Sequence, residues 1–197
     1  MPRKTTAIIT VLALTFGATT LLAQTTGGGP PDPAAACAAL RGPDLGAKFA
    51  NIPDAPTGIN FAQIVPAGGA HGPADDDLPE ICRVEGVIAP TVGFLLRMPS
   101  KDWNGKFMMG GCGGPCGNYL EDRIDPALVR RYAVVTTDMG HKGTSWLFGY
   151  NNYQGQIDFA YRATHLTAVV AKEIIKAFYG NVARRNYFND TRAATAR

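Results

Sequence analysis

Hydrophobic and polar positions alternate with a different period in each part of the chain. Residues 7–23 carry no charge and are mostly Ala, Leu, Ile, Val and Thr, and Arg3 and Lys4 stand just before them. A Gly/Pro-rich stretch follows, so residues 24–36 read as a linker. Cys37-Ala-Ala-Leu40 predicts the start of a short helix. Residues 42–79 are rich in Pro, Gly and Asp with short apolar pieces such as 59–65, a pattern of short strands and loops. Residues 82–89 and 91–98 predict two strands split by Pro90, the second stopped by Pro99. Asp102-Trp-Asn-Gly105 predicts a turn. Residues 106–109 predict a short strand entering a glycine-rich loop, Gly110-Gly-Cys-Gly-Gly-Pro-Cys-Gly117. Residues 125–130 predict a short helix with Asp125 as N-cap and Pro126 at the first helical position. Tyr132-Ala-Val-Val-Thr-Thr137 is the unbroken β-branched run of a strand buried on both faces, and it ends at Asp138-Met-Gly-His141. In residues 157–179, Phe159, Ala163, Leu166, Val169, Val170, Ile174, Ala177 and Phe178 recur at helical spacing, and Gly180 is a C-terminal stop. Residues 186–189 predict one more strand. This order of strand, helix and strand is the grammar of an α/β fold with a parallel sheet and crossover helices.

Charge and composition narrow the function classes. The formal charge is +3, but Arg3 and Lys4 supply two of those charges, which leaves +1 for the remainder. That balance gives no electrostatic case for nucleic acid. An apolar fraction of 46% argues against disorder despite 23 Gly and 14 Pro. Arg3, Lys4 and the apolar run form the parts of a secretory signal, with cleavage after Ala23, so residues 1–23 are expected to be removed and the protein to be secreted or periplasmic. The competing reading is a membrane anchor. The run is at the short end for a span and no charged stop follows it, so no stable span is expected after cleavage. Export makes disulfides available to Cys37, Cys82, Cys112 and Cys116, which allow three pairings. Cys37 and Cys82 suit a staple across a long loop, and Cys112 and Cys116 a bridge within one turn. A metal or redox site built from Cys112, Cys116, His141 and Asp138 is the alternative. The cysteine spacing fits neither zinc ribbons nor C-x-x-C, so no metal is expected. Asp75-Asp-Asp77 reads as a solvated turn, because three adjacent carboxylates repel and calcium needs ligands converging from several positions.

Ester hydrolysis needs a nucleophile, a base, a group that orients the base, and N–H donors aimed at the oxyanion. In strand–turn–helix hydrolases some donors come from a glycine-rich loop after an early strand. Gly110, Gly111, Cys112, Gly113 and Gly114 suit such a loop. No Lys-Ser/Thr follows them, which argues against a phosphate loop of the Walker type. His71, His141 and His165 are the histidines of the chain. His165 lies inside the helical pattern and reads as structural. His141 follows a strand that points toward the loop, so Asp138 and His141 are candidate pocket-lining residues. Their spacing predicts a turn rather than a dyad. Ser100 and Ser145 have no nucleophile elbow around them, and Asn189-Asp-Thr191 is formally a glycosylation sequon.

Four ordered stretches carry a family resemblance: Leu78-Pro-Glu-Ile-Cys-Arg-Val-Glu-Gly86; Trp103-Asn-Gly-Lys-Phe107 running into the glycine loop; Tyr132-Ala-Val-Val-Thr-Thr-Asp-Met-Gly-His141; and Ile157-Asp-Phe-Ala-Tyr-Arg-Ala-Thr-His165, continuing to Ala177-Phe-Tyr-Gly180 and Tyr187-Phe-Asn189. Across residues 37–189 the chain resembles the tannase/feruloyl esterases of the α/β-hydrolase superfamily. The resemblance implies a secreted serine esterase that cleaves esters of hydroxylated aromatic acids. It also implies an N-terminal disulfide matching Cys37 to Cys82. No cofactor is implied within these residues, since the structural calcium of the family's lid would lie beyond the chain.

The likeness stops at Asn189. Where the family continues Gly-Cys-Ser-x-Gly-Gly, this chain has Asp190-Thr-Arg-Ala-Ala-Thr-Ala-Arg197. Arg192 falls at the serine position, or Thr191 with a one-residue gap. The expectation is therefore a partial α/β-hydrolase-type sheet over residues 37–197, truncated or frame-shifted before the nucleophile elbow and inactive by itself. The alternative is a non-catalytic secreted binding module that keeps the front of the fold. Sequencing past the codon for Arg197 is expected to find a frame encoding Gly-Cys-Ser-x-Gly-Gly, and a locus without one would sink this expectation.

Overall fold

The structure is a computed structural model and describes residues 28–68 and 77–189. The segment read as a signal, the start of the stretch read as a linker, His71, Asp75, Asp76 and the tail from Asp190 lie outside the described residues.

Among the described residues one mixed sheet of six strands carries the fold. Its strands are β1 (Thr57–Val65), β2 (Ile81–Ile88), β3 (Val92–Pro99), β4 (Lys106–Gly110), β5 (Ala133–Thr137) and β6 (Arg185–Asn189), in the spatial order β1-β2-β3-β5-β4-β6. β1, β2 and β3 form an antiparallel meander, and β3 is also antiparallel to β5. β4 runs parallel to both β5 and β6. The expected parallel sheet is thus confined to β5, β4 and β6. β2 and β3 are joined by the short turn at residues 89–91, as an antiparallel pair can be, whereas β4 to β5 and β5 to β6 are joined through helices.

Side chains on alternate strand positions separate two layers. Phe94, Leu96 and Met98 of β3, Phe107 and Met109 of β4, and Ala133 and Val135 of β5 share one core with helices α1 (Pro33–Ala39), α2 (Pro43–Phe49) and α5 (Ala163–Tyr179). Val134 faces the opposite side with Ile81 and with Ile124, Ala127 and Leu128 of α3 (Glu121–Val129). β3 and β5 are buried along their whole length, as a strand covered on both faces must be. Arg97 belongs to the α3 side and is 1% exposed. It pairs with Asp125 and, at 3.5 Å, with Glu121, and it donates to the Glu121 carbonyl at 3.0 Å. Burying a guanidinium is tolerable only because these acceptors meet its two terminal nitrogens.

That ion pair corrects the reading of Asp125 as a cap. Arg97 holds the Asp125 carboxylate, and α3 begins four residues earlier, at Glu121, leaving Pro126 inside it. α1 starts at Pro33, within the segment read as linker, because Asp32 caps it by accepting from the Ala35 N–H. α2 occupies a stretch read as strand and loop. Leu45 and Phe49, four apart, are the side chains it buries. The long helix likewise begins before Ile157. Asn152 caps α4 (Tyr153–Ile157), which passes through one π-helical turn (Asp158–Arg162) into α5. Gly180 ends α5 at φ 71°.

The π turn is held by a buried charge. Asp158 is fully buried and accepts from Arg162 at 2.7 Å, Gln154 at 3.0 Å and Thr91 at 3.3 Å. Arg162 also donates to the carbonyls of Asp54 and Ala89, both at 2.6 Å, so one guanidinium ties the helix to the loop before β1 and to the β2–β3 turn.

Two disulfides are formed, Cys37–Cys82 and Cys112–Cys116, and they use all four cysteines. The first joins α1 to β2 across 45 residues. Replacing Cys37 and Cys82 together by Ala is expected to cost about 3–4 kcal/mol through the added freedom of the unfolded chain. Urea denaturation monitored by circular dichroism checks this, and an unchanged midpoint would contradict it.

Candidate active site

The glycine loop leaves the C-terminal end of β4, the inner strand of the parallel set. A Cβ on Gly110 would lie 2.6 Å from the Ile124 side chain, and one on Gly111 2.9 Å from the Phe188 ring. The backbone therefore passes between α3 and β6 where no side chain fits. Gly111 N–H donates to the Asn189 carbonyl at 2.8 Å and extends the parallel pairing. Beyond it the Cys112–Cys116 disulfide closes the loop, and Gly114 turns the tip at φ 61°. Gly117 then pairs antiparallel with Gly143, N–H to carbonyl at 2.7 Å one way and 3.2 Å the other. Among the described residues no acceptor engages the N–H groups of Gly113 and Gly114.

The facing segment is the exit of β5. Asp138 is 2% exposed. Its carboxylate accepts from the Gly93 N–H at 2.8 Å, the Gly140 N–H at 3.0 Å and Lys142 Nζ at 2.6 Å. Met139 and Gly140 follow at φ 59° and 85°, a left-handed turn that the Gly140 bond to Asp138 supports. The turn brings His141 onto the glycine loop. Its Nε2 lies 3.2 Å from the Pro115 carbonyl, and its ring stacks on Phe148 with centroids 3.7 Å apart. Phe159 meets the imidazole edge-on, and Trp146 packs against both phenylalanines from a 65% exposed position. Asp138 and His141 thus share a turn, as the spacing predicts, with the Asp138 carboxylate committed to other donors.

Tyr119 stands beside this turn with Lys142 Nζ 4.7 Å from its ring centroid. Burial raises its phenol well above the ordinary value of 10.0, and the negative charges of Asp138 and Glu85 push the same way against the weaker opposing effect of Arg83.

The remaining candidates lie apart from the loop. Ser100 is buried and donates to the Glu80 carboxylate at 2.6 Å, and Ser145 caps the short 3-10 helix Trp146–Gly149. His165 is exposed on α5 and lines a cavity of about 290 Å³ with Ile52, Tyr161 and Leu166. The disulfides remove the thiols on which a site of Cys112, Cys116, Asp138 and His141 would depend. Gly93, Tyr119, Lys142, Phe148 and Phe159 are not read from the sequence as residues of this site. Gly93 alone carried a signal, since a glycine inside a strand marks a close approach.

A family model described as tannase and feruloyl esterase matches residues 78–192. A probable feruloyl esterase B-2 of Aspergillus flavus is 38% identical over 88 residues, covering 45% of this chain and 17% of the relative. An uncharacterised esterase of Xanthomonas campestris pv. campestris is 33% identical over 141 residues, covering 67% and 24%. The crystal structure of feruloyl esterase B from Aspergillus oryzae superposes with a TM-score of 0.66 at 26% identity, over 81% of this chain and 33% of that one. The chain therefore spans no more than about a third of the length of these relatives.

Two outcomes follow from the geometry. A Cβ at position 93 would collide with the Asp138 carboxylate and the Tyr119 hydroxyl. Gly93→Ala is therefore expected to lose about 2–3 kcal/mol of stability in denaturant titration. For Tyr119 the folded-state value is the raised one. Its contribution to stability is complete below pH 10.0 and is lost as pH rises above that value toward the folded-state value. The Tyr119→Phe variant should lose less stability than the parent between pH 9 and 11, and identical alkaline profiles would refute the assignment.

Proposed function

The chain belongs to the tannase and feruloyl esterase family, and from that premise we propose that it forms the front of a secreted carboxylic ester hydrolase acting by a serine mechanism on esters of hydroxylated aromatic acids. Residues 110–114 serve as the oxyanion-type loop, and Asp138 and His141 line the pocket beside it. The observation that carries this reading is the pair of uncommitted N–H groups on Gly113 and Gly114, presented at the C-terminal end of a parallel strand. Ligands of open α/β sheets bind at that end. Preorganised backbone donors stabilise an oxyanion because their dipoles need no reorientation as charge develops.

Support for export comes from the two disulfides and from the charged and apolar segments at the N-terminus. No helix among the described residues is long and apolar enough to cross a membrane. Both serines of the chain have structural hydroxyl contacts, Ser100 with Glu80 and Ser145 with the Leu147 N–H. The 197-residue chain is accordingly inactive by itself.

Two measurements test the reading. The purified chain should not hydrolyse p-nitrophenyl ferulate above the blank rate, and turnover abolished by a serine-directed inhibitor would overturn its inactivity. Residues 37–189 exchanged for the corresponding segment of the Aspergillus oryzae feruloyl esterase should give an active chimera. In that chimera Gly113→Pro, which removes one donor N–H, should lower kcat about 100–1,000-fold with little change in KM. An active chimera indifferent to this substitution would exclude the loop from the reaction.

A further inference from the structure

The glycine loop is anchored at its two ends by backbone pairing, at Gly111 to Asn189 and at Gly117 to Gly143. The disulfide joins Cys112 to Cys116 within the loop and makes no covalent link outside it. The tip between them contains two glycines, one with positive φ, and a proline that has no N–H to donate. The disulfide closes this tip into a small ring, so what contacts from outside must set is the ring's orientation against the rest of the fold. Among the described residues the side-chain hydrogen bond that reaches the tip is the one between His141 and the Pro115 carbonyl.

A carbonyl only accepts, so this contact requires the proton on Nε2 of His141. Nδ1 is buried and has no hydrogen-bond partner among the described residues. The ring plane is fixed from one side by Phe148, stacked at an interplanar angle of 12°, and from another by Phe159. Its Cδ2 edge stands where a side chain on Gly117 would be. His141 itself is placed by the Asp138 turn, since its N–H donates to the Asp138 carbonyl at 3.2 Å. The imidazole is thus a rigid strut with one polar function, a donor aimed at the loop tip.

We infer that His141 is a positioning residue: its Nε2–H bond to the Pro115 carbonyl fixes the loop tip so that the Gly113 and Gly114 N–H groups hold one direction. That those groups meet an oxyanion rests on the function proposed above. The hold of His141 on the loop does not, and its test uses no turnover.

The test is 15N relaxation of the full chain and of two variants. His141→Phe keeps the stacked ring and removes the donor. His141→Gln loses the ring but offers an amide N–H at nearly the same reach. In the parent the Gly113 and Gly114 amides should have order parameters near about 0.85. His141→Phe should drop them below about 0.6 while β4 and β5 amides stay unchanged, and His141→Gln should restore most of the loss. Loop amides in His141→Phe that match the parent would overturn the inference, as would an equal loss in both variants or a loop already mobile in the parent. Should the variants not fold, the imidazole 15N shifts of the parent at pH 8 decide the matter. The Nε2–H tautomer is required, and an Nδ1–H tautomer refutes the bond.

Discussion

The carboxylate of Asp138 is the constraint on which the site's geometry rests. A charge buried at the end of a strand persists only when donors surround it. Here they come from three directions: the β3 backbone at Gly93, the following turn at Gly140, and Lys142 one step further. Gly93 must lack a side chain for the carboxylate to approach, and Gly140 must take a left-handed conformation for its N–H to point back. Together these demands fix the path of residues 138–143, and with it the positions of His141 and Gly143 against the glycine loop. Thr137 strengthens the same joint by donating its hydroxyl to the Gly93 carbonyl at 2.7 Å.

Two other buried charges do comparable work on the two layers. Arg97 holds α3 against one face of the sheet, and the Asp158–Arg162 pair holds the long helix to the ends of β2 and β3. Each pair is surrounded by further donors or acceptors, which is what makes buried ions tolerable in an apolar interior. The consequence for the site is rigidity where it matters. β4 ends between an ion-paired helix on one side and a paired strand on the other, so the loop it feeds starts from a fixed point. The loop itself is closed by its own disulfide, and neighbouring segments set its orientation.

Much of this was legible in the chain. Strand positions followed period two or unbroken β-branched runs, and the Gly180 stop was read from residue chemistry. The family likeness rested on ordered motifs that the family match over residues 78–192 bears out. Failures occurred where a polar residue had two possible partners. Asp125 looked like a helix cap because local spacing allows it, yet Arg97, 28 positions away, holds its carboxylate. The short helix Pro43–Phe49 was hidden because its apolar positions are few and its flanks are full of turn formers.

The sequence by itself therefore determined the α/β character, the strand that opens into a glycine loop, the tight turn at 138–141 and the family. These depend on near neighbours in the chain, through side-chain period, glycine freedom and proline stops. The tertiary structure alone decided that Gly93 accommodates Asp138, that Arg97 holds Asp125, and that His141 points its Nε2 at Pro115. Each of these joins residues dozens of positions apart or on different segments, and no local spacing rule encodes which distant partner will satisfy a buried charge or a ring nitrogen.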